Sequence, residues 1–448
     1  MKGVRGRPAS AGPTAGAAQA IARVSPARAA AFEVLRLVGE GKGHSDELLH
    51  GARTAGLSGE DRNLATALVM GVLRWQIALD AQIGRLLARP GQRLADAVAI
   101  ALRMGALQLL HMDRIPDHAA LSESVEMCRA AGEEHAAGMV NAVLRKVVAA
   151  RDALRKEGAP ELESVGEFAV RLGHPAWLVE RWAGAYGREA ALAICEYGQR
   201  EPDRCGVFEV NAELDGDDAV QMDDGSRLVA EIAASAMPSV EGRAARVWDC
   251  CAAPGGKTLV LAKRLEGAKI LASDVSARRM AQMTGRLRRY AFAADVRTKV
   301  MGAAEASVDG TKFDLILCDV PCSGTGTLAR NPEIRHRLKP EEFARQATRQ
   351  CAILRGALKR LAPGGRLVYA TCSLEAEENE RVVEEVAGEA GVRRVAVGPL
   401  LAKLVEGGVL REEVGAMLID SAVRDGALRT LPGVHGCDGF FGVVLERG

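Results

Sequence analysis

Apolar residues recur every three or four positions through the first third of the chain. Two stripes of this kind are Leu64, Leu68, Val72, Trp75, Leu79, Ile83 and Leu86, and then Val98, Ala101, Leu102, Gly105, Leu109 and Leu110. This period is typical of helices that bury one face. Ser25 and Pro26 have the character of an N-cap and a first helical residue. The sequence therefore predicts an all-α bundle of about five to seven helices that ends near Lys146.

The pattern changes near residue 240, where short apolar runs begin to alternate with helical stretches. Strands are predicted near residues 246, 270, 314 and 366. Such alternation is typical of a mostly parallel, doubly wound sheet with helices on both faces.

Other segments connect or precede these two regions. Residues 1–24 are mostly small and basic with two prolines, and they are predicted to be a disordered tail. Residues 147 to about 165 are predicted to form a polar linker. Between 160 and 239 a small accessory α/β domain is predicted, in which the stretch from Gly173 to Trp182 begins an α/β segment and Val207–Asn211 is its strand-like run.

The first strand of the later region ends in small residues and glycines. The stretch reads Cys251-Ala252-Ala253-Pro254-Gly255-Gly256-Lys257-Thr258, and a helical run follows. A strand, a tight turn and a helix N-terminus can hold an anionic group. A nucleotide-triphosphate loop requires a glycine six residues before its lysine, and Cys251 occupies that position. Asp274 closes the next strand, at the spacing where open α/β folds bind ribose hydroxyls.

Two later strands each run into a cysteine. One leads into Asp319-Val320-Pro321-Cys322-Ser323-Gly324-Thr325-Gly326, the other into Thr371-Cys372-Ser373 followed by Glu377-Glu378-Asn379. With Asp438-Gly439-Phe440-Phe441 near the end, these ordered motifs closely resemble the RsmB/Sun-type RNA (cytosine-5) methyltransferases. The resemblance implies a Rossmann-like catalytic domain over 240–448 that uses S-adenosylmethionine.

The resemblance also implies roles for individual residues. Cys372 would be the nucleophile that adds to cytosine C6, Cys322 would assist product release, and Asp319 would contact the base or the methyl donor. A thiolate suits this covalent step because it is accessible near neutral pH. Donor-binding residues would be Cys251, Ala252, Ala253, Pro254, Gly255, Gly256, Lys257, Asp274 and Asp319. The target base must leave its stack, so a single-stranded or loop cytosine is expected.

One position departs from the family pattern. The family has an aspartate that contacts adenine where this chain reads Met301-Gly302-Ala303-Ala304. Adenine recognition is therefore expected to use backbone groups or another residue such as Glu305.

The helical region resembles a NusB-type RNA-binding domain over 25–150. The features that carry this resemblance are Asp61-Arg62, Gly71-Val72-Leu73-Arg74, Ile115-Pro116, Ser124-Val125-Glu126 and Asn141-Ala142-Val143-Leu144-Arg145. Arg74, Arg145 and Lys146 are candidates for phosphate contacts, or they lie on exposed faces or cap helices. The basic runs Arg286–Arg289 and Arg335–Lys339 are likewise open to either interpretation.

Composition adds few constraints. The net charge is +1 and aromatic residues make up 4%, so composition alone does not indicate a nucleic-acid binder. Ten cysteines without a Cys-x-x-Cys pair favour reduced thiols in the cytosol and no metal site. Cys195, Cys250, Cys318 and Cys351 are expected to pack in cores. We expect neither an apolar segment of about 18 residues that spans a bilayer nor a secretory signal.

The prediction is thus a multidomain, cytoplasmic, monomeric RNA (cytosine-5) methyltransferase that acts on 16S ribosomal RNA, with no membrane or DNA partner. One alternative is transfer RNA as the substrate. Another is a catalytically weak RNA-binding protein of ribosome assembly, in which the catalytic domain is a relic.

Overall fold

The computed structural model describes residues 24–156, 163–201, 222–290, 294–304 and 310–448. It divides into two compact units between Arg181 and Trp182. Three predicted features lie outside the described residues. They are the tail (except its last residue, Val24), the strand Val207–Asn211 and Glu305.

The described part of the first unit is helical. Its helices are α1 (Pro26–Gly39), α2 (Ser45–Leu49), α3 (Ala52–Ala55), α4 (Gly59–Leu86), α5 (Asp96–His111), α6 (Asp117–Ala130), α7 (Ala137–Ala149), α8 (Arg151–Lys156) and α9 (Val165–Arg171), with a 3-10 turn at Glu134–Ala136. Seven of these helices lie within residues 24–149, as the apolar period predicts. The linker prediction is wrong at its start, because α7 continues to Ala149 and α8 follows it.

The α4 stripe forms the centre of the bundle core. Leu68, Val72, Leu79 and Ile83 are buried, and Trp75 packs against them from a half-buried position. Helix α4 is also the one described helix long and apolar enough, by length and composition alone, to cross a membrane. The core helix of a helical bundle can have the same length and apolar content, and the apolar stripe of α4 packs in this core.

The start of α1 agrees with the sequence prediction. Ser25 is extended and Pro26 begins the helix. The Ser25 hydroxyl does not cap the helix but donates to Glu123 on α6 at 2.7 Å. The pattern of residues therefore predicts the boundary but not the bond.

In the predicted accessory region, the elements that the structure describes are helices. Helix α9 is followed by α10 (Ala176–Tyr186) and α11 (Arg188–Gln199). His174, between α9 and α10 in the chain, is buried with its Nδ1 atom 2.6 Å from the Leu172 carbonyl oxygen. The boundaries of this predicted domain stay a prediction.

The second unit contains a sheet of nine strands among the described residues. They are β1 (Arg246–Asp249), β2 (Lys269–Asp274), β3 (Asp295–Val300), β4 (Phe313–Asp319), β5 (Leu361–Thr371), β6 (Val392–Val395), β7 (Val423–Arg424), β8 (Ala427–Arg429) and β9 (Phe441–Arg447). The helices of the unit beyond α11 are α12 (Asp224–Ser235), α13 (Gly256–Arg264), α14 (Ala277–Leu287), α15 (Ile334–Arg337), α16 (Glu341–Leu358), α17 (Glu380–Ala390), α18 (Gly398–Glu406) and α19 (Glu412–Met417).

The strand order is β3-β2-β1-β4-β5-β9-β8-β7, and β6 also pairs with β9. Strands β1 to β5 pair in parallel, as predicted, whereas β9 runs antiparallel to β5. The parallel strands therefore end at one edge of the sheet. That edge carries Asp249, Asp274, Asp319 and Thr371, and it is where ligands bind in open α/β sheets.

Candidate active site

A glycine turn joins β1 to α13. Gly255 has φ +100° and precedes the first residue of the helix, Gly256. The turn is held by backbone bonds from Ala252 N–H to the Ser273 carbonyl at 2.9 Å and from Gly255 N–H to the Ala252 carbonyl at 2.7 Å. The helix N-terminus beyond it presents N–H groups suited to an anion.

Asp274 ends β2 beside this turn. Its carboxylate is buried and accepts the Ser276 N–H at 2.9 Å. Arg279 lies 3.6 Å from the same carboxylate and also donates to the Ala253 carbonyl. The next residue, Val275, is 61% exposed. Sequence analysis missed Val275, although an apolar residue directly after an acidic strand end is a readable signal.

Lys257 and Asp319 form an ion pair at the centre of the edge. The Lys257 ammonium lies 2.7 Å from the Asp319 carboxylate and 2.7 Å from the Ser226 hydroxyl. Burial alone would lower the pKa of Lys257, but the Asp319 carboxylate outweighs it, and the net pKa is raised. Ser226 is the other residue that sequence analysis missed, because α12 is remote in the chain.

The two predicted catalytic cysteines are in contact. The sulfur atoms of Cys322 and Cys372 lie 3.3 Å apart, and both side chains are half-buried. The pKa of the Cys322 thiol is well above its ordinary value, because of the hydrogen bond to Cys372 and because of burial. Strands β4 and β5 are paired neighbours, which brings their following loops together.

The remaining predicted residues separate into several groups. Cys195, Cys250, Cys318 and Cys351 are buried, as expected for core residues. Ala303 is buried in a hydrophobic core cluster of the second unit. Within the described residues no group of acidic, cysteine and histidine side chains could hold a metal ion.

The basic residues differ in exposure. Arg145, Lys146, Arg288 and Arg289 are exposed. The interpretation of Arg335 as an RNA contact is wrong, because this residue is 2% exposed and its guanidinium donates to the Gly198 and Leu328 carbonyl oxygens.

Related sequences identify the protein family to which this chain belongs. The chain is 32% identical to the ribosomal RNA small subunit methyltransferase B of Xanthomonas campestris, over 96% of this chain and 99% of that protein. The chain belongs to this family. The corresponding protein of Erwinia tasmaniensis is 29% identical, over 93% of this chain and 97% of that protein.

Two family models agree with this membership, and a solved structure shares the fold. Residues 239–446 match the family described as 16S rRNA methyltransferase RsmB/F, and residues 25–149 match the NusB family. The crystal structure of PH0851 has the same fold, with a TM-score of 0.68 and 21% identity over 95% of this chain and 99% of that one. The predicted fold class, the NusB-like bundle and the use of S-adenosylmethionine by an RNA methyltransferase are thus confirmed.

Proposed function

We propose that this RsmB-family chain forms 5-methylcytosine in 16S ribosomal RNA through a covalent bond between Cys372 and cytosine C6. The observation that carries the proposal is the contact of the Cys322 and Cys372 sulfurs at the ends of neighbouring strands, 3.3 Å apart. The names of the relatives and of the family support small-subunit ribosomal RNA as the substrate. We further propose that the chain acts as a cytoplasmic monomer and does not act on DNA.

The residues at the strand ends fit the methyl donor. S-adenosylmethionine, when bound, supplies an electrophilic methyl group carried on a sulfonium. We assign its methionine part to the turn and helix start formed by Cys251, Ala252, Ala253, Pro254, Gly255, Gly256 and Lys257. The buried Asp274 carboxylate suits ribose hydroxyls, the exposed Val275 suits an adenine face, and Asp319 lies toward the methyl end.

Cys372 is the nucleophile in this proposal. Its thiolate adds to C6, and the electrons of the C5–C6 double bond move so that C5 becomes nucleophilic. Asp319, held by Lys257, contacts the polar edge of the base and stabilises the charge that develops there. Cys372 itself follows β5 in a loop fixed by neighbouring backbone bonds, including Gly326 N–H to the Cys372 carbonyl at 2.9 Å.

Cys322 assists the release of the product. Once C5 carries the methyl group, its proton passes to a base. The electrons of the C5–H bond then restore the C5–C6 double bond, the C6–S bond breaks, and Cys372 leaves as a thiolate. The sulfur of Cys322 is placed for this step because it contacts the sulfur that must depart.

The test compares alanine variants of the two cysteines on labelled small-subunit ribosomal RNA. Cys372→Ala should abolish methyl transfer, whereas Cys322→Ala should remain on the RNA as a covalent adduct in denaturing gels. Cys128→Ala, a buried cysteine of the first unit, is the control and should turn over normally. Methylation that persists in Cys372→Ala would refute the assignment. Bisulfite mapping of ribosomal and transfer RNA from cells lacking the protein would identify the target.

A further inference from the structure

One buried carboxylate, that of Glu378, joins the two cysteine loops. Its Oε1 atom accepts the Ser323 N–H at 2.8 Å, and its Oε2 atom accepts the Ser373 hydroxyl at 2.5 Å. The Ser323 hydroxyl also donates to it. Each of these serines directly follows a proposed catalytic cysteine. A single carboxylate therefore fixes the residue next to Cys322 and the residue next to Cys372.

Further bonds make Glu378 a rigid anchor. Gln350 on α16 donates from Nε2 to Glu378 at 3.1 Å and to the Pro321 carbonyl at 3.0 Å. The Tyr369 hydroxyl donates to the Glu378 carbonyl oxygen at 2.6 Å. Glu378 has no measurable exposure (0%). Because its side-chain donors are neutral groups, they leave its negative charge in place beside the thiols.

The two sulfur atoms interact with different charged groups, Cys322 with Glu378 and Cys372 with Lys257. The pKa of Cys322 is raised first by its hydrogen bond to Cys372 and by burial, and then by the charges on Cys372 and Glu378. Burial alone would lower the pKa of Lys257. The Asp319 carboxylate and, after it, Cys372 raise this pKa.

The titratable and charged groups that act on the pair, or on its neighbour Lys257, come from several elements. Lys257 of α13, Tyr369 of β5 and Glu378 before α17 interact with the cysteines, and Asp249 of β1 and Asp319 of β4 act on Lys257. Lys257 is the cation among them, and its charge acts on Cys372, whereas the charge of Glu378 acts on Cys322.

We propose that Glu378 is a positioning residue that locks the two cysteine loops together and places a negative charge beside Cys322, which opposes a thiolate there. This inference rests on the proposed function in naming Cys372 as the nucleophile. It adds the reason why two touching thiols have different roles.

The first test needs no substitution. Unmodified protein is treated with limiting iodoacetamide across a range of pH, and the initial alkylation rate of each cysteine is read by mass spectrometry of its peptide. Because only thiolates react, Cys372 should be alkylated at lower pH than Cys322. Equal profiles, or Cys322 reacting first, would overturn the proposal.

The second test removes the charge of Glu378. In Glu378→Gln the Cys322 thiolate is no longer opposed by a neighbouring anion, so Cys322 should be alkylated about tenfold faster at a fixed pH, equivalent to about one pH unit. Glu378→Asp keeps the charge and should keep Cys322 slow. Glu446→Gln removes a carboxylate at the far end of β9 and is the matched control. An unchanged Cys322 rate in a folded Glu378→Gln protein would overturn the proposal.

These measurements use neither RNA nor the methyl donor. They can therefore fail while the RNA adduct test succeeds, and the reverse. A normal adduct with reversed thiol reactivity would refute the role of Glu378 alone.

Discussion

Gly326 donates its N–H to the Cys372 carbonyl oxygen at 2.9 Å, so the loop after β4 fixes the backbone of the proposed nucleophile. The approach leaves no room for a side chain. A Cβ atom on Gly326 would lie 2.2 Å from the Gly439 carbonyl oxygen and 2.9 Å from the Cys372 carbonyl oxygen. Three sequence motifs that are far apart in the chain therefore meet at one glycine.

We expect Gly326→Ala to displace the Cys372 loop and to abolish most methyl transfer. The added methyl group meets backbone atoms that cannot move independently, so the free energy of unfolding should fall by about 2 kcal/mol. Urea unfolding and RNA methylation assays measure the two effects. Gly285→Ala is the matched control, because Gly285 lies within α14 and a Cβ atom there would have no neighbour within 4 Å. It should be neutral or stabilising by about 0.5 kcal/mol, and full activity in Gly326→Ala would contradict the expectation.

Lys257→Met should weaken donor binding and slow methyl transfer. The substitution leaves the Asp319 carboxylate and the Ser226 hydroxyl without the ammonium that lies 2.7 Å from each. We expect the affinity for S-adenosylhomocysteine to fall about tenfold or more, which calorimetry measures, and the unfolding free energy to fall by about 2 kcal/mol. Lys263→Met, later in the same helix, is the control. Equal losses in both variants would indicate damage to α13 rather than to the ion pair.

Val275→Asp tests the proposed adenine contact. Val275 is 61% exposed beside Asp274, so a carboxylate there replaces an apolar surface and adds like charge near the ribose site. The affinity for S-adenosylhomocysteine should fall about tenfold, whereas the unfolding free energy should stay within about 0.5 kcal/mol. Val434→Asp, at a second exposed valine (45%), should leave affinity unchanged. If Val275→Asp binds as tightly as the original protein, the adenine does not rest on this residue.

Local patterns predict the elements of this fold well. The stripe from Leu64 to Leu86 predicts α4, and Pro26 predicts the start of α1, because both signals depend on neighbours in the same helix. The acidic ends of the parallel strands predict which edge carries the site. The carboxyl ends of β4 and β5 lie side by side in the structure, and this pairing brings the two cysteine motifs together.

The contacts that hold those cysteines could not be predicted in the same way. Glu378 reaches Ser323 across 55 positions of sequence, and Lys257 reaches Ser226 across 31. Such pairs depend on how helices pack over the sheet, which no local period encodes. The same limit explains Arg335, which appeared as part of a basic surface run but is buried among backbone carbonyls.

Arg28→Met should destabilise the first unit. The guanidinium is 6% exposed and donates to Gln108 at 2.7 Å and to Glu123 at 2.9 Å, which joins α1 to α5 and α6. Its loss leaves a largely buried carboxylate uncompensated, so we expect the unfolding free energy to fall by about 3 kcal/mol.

Arg36→Met is the matched control on the same helix. Arg36 forms exposed ion pairs with Glu33 and Glu40, and such pairs contribute less than about 1 kcal/mol. Thermal unfolding followed by circular dichroism compares the two variants. Similar losses in both would show that the Arg28 cluster contributes no more than a surface pair.

Asp249 gives the second unit a stability that depends on pH. Its carboxylate is 1% exposed at the end of β1 and accepts the Thr258 hydroxyl at 2.5 Å. Burial raises the pKa of Asp249 to about 7 from an ordinary value of 3.8, mainly because the charged form is poorly solvated. Between these two pH values the folded protein holds a proton that the unfolded chain has released. The stability contribution of Asp249 is therefore present below the unfolded pKa and is lost as pH rises through 7.

Asp249→Asn removes this titration while keeping an oxygen for Thr258. Across the window between the two pKa values, the unfolding free energy of the original protein should fall relative to the variant by about 1.4 kcal/mol for each pH unit. Urea unfolding of both proteins at several pH values measures the difference, in which the titration of other groups cancels. Asp295→Asn, at an exposed aspartate of β3, is the control for the loss of an aspartate outside the core. A difference for Asp249→Asn that is constant with pH would mean that Asp249 is already ionised in the folded protein at acidic pH, and that the core at the end of β1 solvates its charge.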